Sequence, residues 1–157
     1  MSALDLTLPQ DIALKDETAT LSLGRALAES LRPGDVVYLS GDLGAGKSTL
    51  ARALIRALTT PDEDVPSPTF TLIQTYDGHA ADGEPISIAH LDLYRVTDPE
   101  EVYEIGLFDL EPRALILIEW PDKLGYLGFD DRLEISLDKA AGDGRVARLN
   151  PKGKFRF

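Results

Sequence analysis

The chain has no cysteine, a single tryptophan and a single methionine among its 157 residues. Without thiols there is no disulfide and no thiolate metal site, so a fold of this length holds through its apolar core alone. Residues 1–10 contain no basic stretch followed by an apolar core, so no signal peptide is expected and the expected location is cytoplasmic. Long apolar runs are also missing. The stretch 114–118 is among the longest, far short of the roughly 20 residues that a membrane span needs, and no membrane association is expected. Basic residues are scarce, 16 Lys and Arg against 27 Asp and Glu, for a formal net charge of −11. Such a surface repels nucleic-acid phosphates unless its cations cluster. The one visible cluster, Lys152, Lys154 and Arg156 with Arg145 and Arg148 nearby, reads as an exposed strand end carrying solvated charges. Any action on a nucleic acid is therefore expected to be indirect.

What is present is the composition of a soluble globular protein, 43% apolar and 27% charged, long enough for one domain over residues 1–157. Its organising stretch is Gly41-Asp42-Leu43-Gly44-Ala45-Gly46-Lys47-Ser48, which fits the phosphate-binding P-loop pattern G-x-x-x-x-G-K-S/T. Glycines let such a loop turn tightly and aim its N–H groups at phosphate oxygens. Lys47 then reaches the β- and γ-phosphates, and the Ser48 hydroxyl is offered to Mg²⁺. The flanks agree. Residues 35–40 read as a short apolar strand, and Leu50, Ala53, Leu54, Ala57 and Leu58 recur at helical spacing after the loop. Strand, loop and helix is the order the motif requires, and the helix N-terminus adds its positive end to the anion site.

Around this unit, Leu4, Leu6 and Leu8 alternate with polar residues and predict a strand ended by Pro9. Asp16 is placed to cap a helix running to about Leu31. Pro66 and Pro68 stiffen the loop at 65–69, and strands are expected over 70–76 and 86–92, with a polar connection at 77–85, as an antiparallel pair. Asp98 with Pro99 and Glu101 opens a short helix that ends near Gly106. The unalternating run 114–118 reads as a strand covered on both faces, closed by Glu119-Trp120-Pro121. Strands at 132–138 and 145–150 flank 141–144 as a C-terminal hairpin. The predicted fold is α/β: a P-loop NTPase sandwich around a mixed, partly parallel sheet.

Ligands sit at the carboxyl ends of parallel strands, and two predicted strand ends carry acids. Glu119 stands where a Walker B acid holds the metal shell, and Asp92 is the second candidate. Thr69 either offers its hydroxyl to the γ-phosphate side, as a switch loop does, or bonds its own turn. His90 shares a strand face with Asp92 and is as consistent with a structural group as with a catalytic one. Trp120 is either core or a contact surface. No N/T-K-x-D element for guanine occurs, which favours ATP over GTP. A small-molecule kinase remains a rival reading, with only Arg95 and Arg113 between the two acids to serve a lid. A nucleotide-dependent binding module with negligible turnover is another.

GDLGAGKST, VPSPTFTL, HLDLYR and IEWPDKLG, in that order and spacing, resemble the TsaE family, small P-loop ATPases of bacterial tRNA threonylcarbamoyladenosine biosynthesis. The resemblance runs from about Thr18 to Leu124. It implies ATP hydrolysis with Mg²⁺, and a role beside the partners TsaD and TsaB in threonylcarbamoyl transfer to adenosine 37 of tRNA. By position it implies nucleotide contacts from Asp42, Leu43, Gly44, Ala45, Gly46, Lys47, Ser48 and Thr49, and a weaker one from Thr18 near the base. It implies Ser48, Asp92 and Glu119 for the metal site, leaving open which of the two acids touches the ion, puts Thr69 and Asp92 in two switch-like loops, and implies Lys47, Thr69, Asp92 and Glu119 in catalysis. Ser48 stands where the family often has Thr, which keeps the hydroxyl. No motif in the C-terminal hairpin matches.

Overall fold

The computed structural model describes residues 5–66 and 72–157. Seven strands form one sheet in the order β1-β7-β6-β2-β5-β4-β3. They are β1 (Gln10–Leu14), β2 (Val36–Ser40), β3 (Ile73–His79), β4 (Pro85–Asp92), β5 (Leu115–Glu119), β6 (Arg132–Lys139) and β7 (Arg145–Lys152). The middle of the sheet is parallel: β2 pairs in parallel with β5 and β6, and β5 with β4. Antiparallel strands close both sides, β3 on β4 and the β6–β7 hairpin carrying β1. The α/β class and the mixed sheet are as the sequence predicts.

Two helices cover one face, α1 (Glu17–Ser30) and α2 (Lys47–Leu58). Leu23, Leu27, Leu50, Leu54 and Ile55 pack there with Val37, Leu39, Ile88, Leu115, Leu117, Leu133 and Ile135. The other face holds Val36, Tyr38, Leu91, Ile116 and Ile118 against Val102, Leu107 and Leu124. These last come from the short helix α3 (Glu101–Ile105) and from 3-10 turns at Leu107–Asp109 and Pro121–Leu127. β5 lies between parallel neighbours and every one of its residues is buried, which is why its sequence shows no alternation. Among the described residues no helix is long and apolar enough to cross a membrane.

Asp16 caps α1 as expected, its Oδ1 accepting from the Ala19 N–H at 2.9 Å. Elsewhere the boundaries move. The first strand is Gln10–Leu14, not the segment before Pro9. Leu6 and Leu8 pack on the core as irregular chain, because pairing with β7 begins only at Gln10; Leu4 lies outside the described residues. α3 begins at Glu101, after i→i+3 turn bonds from Glu101 N to Asp98 O and from Val102 N to Pro99 O. Glu101 Oε1 still reaches back to the Asp98 N–H at 3.3 Å, half of a capping box.

β3 runs on to His79, through residues that read as a polar connection, and the true turn spans only 80–84. Phe70 and Thr71, expected to open this strand, lie outside the described residues. The polar residues are tolerated because β3 is an edge strand. Gly78 is there for proximity rather than for turning. A Cβ at that position would lie 2.1 Å from the Leu58 carbonyl oxygen at the end of α2. Gly78→Ala is therefore expected to lower stability by about 2 kcal/mol, the range for overpacking against backbone that cannot yield. Thermal unfolding is the check, with Tm falling by about 4–8 °C. An unchanged Tm would mean that β3 and α2 separate freely.

Candidate nucleotide site

The P-loop joins the carboxyl end of β2 to α2, whose helical bonding starts at Lys47. Gly46 has φ +106°, the left-handed region where an L side chain is strained, so only glycine turns the chain into the helix here without cost. Asp42 closes the loop by accepting the Ala45 N–H at 3.0 Å on its carbonyl. The buried Lys47 folds back over the loop. Its Nζ donates to the carbonyls of Gly41 and Asp42, the latter at 3.0 Å, and sits 4.3 Å from the centre of the Trp120 ring. Burial holds this ammonium below its ordinary pKa, against the pull of Glu119, Asp92 and Asp42.

The two acids arrive from adjacent strand ends. β4 and β5 run parallel with Asp92 opposite Glu119, so both side chains leave the sheet on the face that carries α2. Glu119 is 2% exposed. Its Oε1 is 3.3 Å from the Ser48 hydroxyl, which donates to it, and its Oε2 is 2.7 Å from His90 Nε2. Asp92 is half-buried and accepts the Tyr94 N–H at 3.0 Å. Burial raises its pKa, and the neighbouring Glu119 adds to the rise. Two carboxylates beside a serine hydroxyl form a hard-oxygen donor set suited to Mg²⁺. Among the described residues no group of three or more His, Cys, Asp or Glu forms a metal cage.

These groups line one cavity of about 250 Å³, walled by Gly44, Lys47, Ser48, Asp92, Glu119 and Trp120. Leu43, Gly46 and Thr49 line it too, so most of the expected nucleotide-binding residues meet there. Ala45 is buried within the loop, and Asp42 contributes its carbonyl. Thr18 stands apart, exposed in the first turn of α1. Thr69 lies outside the described residues. Trp120 is both core and contact: it packs on the second core cluster and also faces the cavity, with its ring centre 5.0 Å from that of Tyr94.

Two contacts at the site have little or no local signal in the sequence. The pair His90 with Glu119 was signalled only by the shared face of His90 and Asp92. Arg145 had no signal at all. It does not belong to a solvated cluster: it donates Nε to the Ala45 carbonyl and Nη2 to the Gly44 carbonyl, each at 3.1 Å, bracing the P-loop from the hairpin. Arg148, Lys152, Lys154 and Arg156 are exposed as expected, with Arg148 pairing at the surface with Asp138 and Asp11.

Comparison with known proteins identifies the family. Residues 14–147 match the family model described as "Threonylcarbamoyl adenosine biosynthesis protein TsaE". The chain is 38% identical over 136 residues to the tRNA threonylcarbamoyladenosine biosynthesis protein TsaE of Rickettsia conorii, covering 87% of this chain and 75% of that protein. It is 41% identical over 121 residues to the protein of the same name from Nostoc sp., covering 73% and 70%. The crystal structure of Bacillus subtilus YdiB superposes with a TM-score of 0.71 at 26% identity, covering 96% of this chain and 90% of that one. With its P-loop, its paired strand-end acids and a family match over most of its length, the chain belongs to the TsaE family.

Proposed function

We propose that this chain is a Mg²⁺-dependent ATPase serving tRNA threonylcarbamoyladenosine synthesis, acting through the partner proteins TsaD and TsaB in threonylcarbamoyl transfer to adenosine 37. The observation that carries the reading is the convergence of Lys47 and Ser48 with Asp92 and Glu119 on one small cavity. Lys47 leaves the carbonyls of Gly41 and Asp42 for the β- and γ-phosphates, whose negative charge offers it a stronger partner. The loop N–H groups cradle the same oxygens. Ser48, Glu119 and Asp92 are the residues that would hold the metal, which when bound would supply positive charge to the phosphate oxygens. Thr69, by family position, belongs to the γ-phosphate side. The kinase reading loses support from Arg113, which precedes β5 at the end of the strand opposite Glu119 and so lies away from the phosphates.

The sole tryptophan reports on the first step. Because the Lys47 ammonium lies over the Trp120 ring, Mg·ATP is expected to change Trp120 emission as the lysine leaves. A fluorescence titration checks this; emission indifferent to saturating Mg·ATP would mean that Lys47 stays where it is.

The link to tRNA is tested by mixing. With a net charge of −11, the chain alone is expected not to bind tRNA appreciably at physiological salt, because phosphate neutralisation supplies most non-specific affinity. Phosphate release is expected to rise when purified TsaB and TsaD are added, and the partners are expected to stop modifying tRNA over repeated cycles without this chain. Micromolar tRNA binding by the chain alone, or sustained modification in its absence, would refute the proposal.

A further inference from the structure

We propose that His90 is a positioning residue for Glu119. It locks one carboxylate oxygen so that the other faces Ser48 and the cation site. The inference rests on the reading of Glu119 as an acid of the Mg²⁺ shell.

β4 and β5 pair with His90 opposite Leu117, one pleat behind the level of Asp92 and Glu119. From there the imidazole reaches Glu119 from beneath. Its Nε2 lies 2.7 Å from Oε2, with both side chains almost wholly buried. Oε1 is left to the Ser48 hydroxyl at 3.3 Å. The carboxylate thus has its two oxygens assigned to different tasks, and its plane is set by contacts on both sides. A carboxylate deprived of one of them is free to turn, and Lys47 and Ser48 are the groups at hand to recapture it.

Two further observations separate positioning from catalysis and from packing. His90 does not line the cavity; Glu119 does, and stands between the imidazole and the space where phosphate would lie. A proton taken from water by His90 would have to pass through Glu119. The second observation is the cost of the ring. Among the described residues its Nδ1 is buried with no hydrogen-bond partner, an arrangement that destabilises a fold. A leucine at this position of a buried strand would carry no such penalty. Among the described residues, the one directed contact that the imidazole makes is the one to Glu119.

The test measures coupling between Mg²⁺ and nucleotide in the full-length chain. The affinity for a non-hydrolysable ATP analogue is measured by calorimetry with Mg²⁺ in excess and again in EDTA, and the ratio of the two is compared. His90→Leu is expected to lower that ratio by about 10-fold or more, the usual effect of removing a group that orients a metal ligand, while affinity in EDTA stays within about 2-fold. His90→Gln, whose amide N–H donates from nearly the Nε2 position, is expected to recover most of the ratio. Should the leucine variant not fold, His90→Asn serves in its place, since its amide is too short to reach Oε2. A wild-type ratio in the leucine or asparagine variant would overturn the assignment, and so would a glutamine variant as impaired as either. A wild-type chain that binds the analogue equally with and without Mg²⁺ would instead overturn the Mg²⁺ reading of Glu119, and this assignment with it.

Discussion

Lys47→Ala is expected to reduce ATP hydrolysis by about 10²–10³-fold, the loss seen when one group stabilising transition-state charge is removed. Nucleotide affinity is expected to fall as well, because a charge-assisted contact to phosphate disappears and the remaining loop N–H groups carry no full charge. The fold also registers the change. Lys47 is buried, and its ammonium is the donor to the carbonyls of Gly41 and Asp42. Their loss of a partner is expected to cost about 1–3 kcal/mol, read as a lower Tm of a protein that still unfolds cooperatively. Steady-state phosphate release and calorimetric binding measure the first two effects. Turnover and affinity at wild-type levels would remove the P-loop assignment altogether.

The second large effect is expected at Glu119. Glu119→Ala should cut hydrolysis by roughly 10²-fold or more, with a smaller loss of nucleotide binding because the loop N–H groups remain. This variant also removes the carboxylate that pairs with His90 Nε2, and among the described residues no other partner stands ready for either buried ring nitrogen, so stability should fall too. Glu119→Gln separates the two roles. Its amide oxygen still accepts from His90 while the negative charge is gone, so hydrolysis is expected to collapse and Tm to hold. Asp92→Ala should show a similar loss of hydrolysis with less loss of stability, since Asp92 is only half-buried and, among the described residues, its side-chain bond is to the Tyr94 N–H. A Glu119→Gln chain that hydrolyses ATP normally would make Glu119 a structural acid and leave Asp92 to carry the site alone.

Much of this site was legible because its signals are short-range. The P-loop is a contiguous pattern whose glycines and lysine act within a few residues of one another. The run 114–118 announced a covered strand because nothing in it is polar, and Asp16 announced a helix start because its carboxylate reaches only three residues on. Where local signals were weak, the reading slipped. Gly78 falls within the expected polar connection at 77–85, because the close approach of Leu58 that demands a glycine in a strand there is invisible in sequence. Alternation before Pro9 predicts a strand, yet it says nothing about whether a partner strand begins there, and pairing starts only at Gln10.

By itself, then, the sequence determined the P-loop, the helix behind it, the buried strand that ends in Glu119, and the family to which these motifs point. All of these depend on backbone periodicity or loop conformation over a few residues. Tertiary structure alone decided what meets what. Ser48 reaches Glu119 across 71 positions, His90 reaches Glu119 across 29, and Arg145 braces the Gly44 carbonyl from 101 positions away. Such contacts follow from strand order and register. Those are set by how the whole chain buries its apolar faces on the two sides of one sheet, a balance of many weak terms that no local stretch contains.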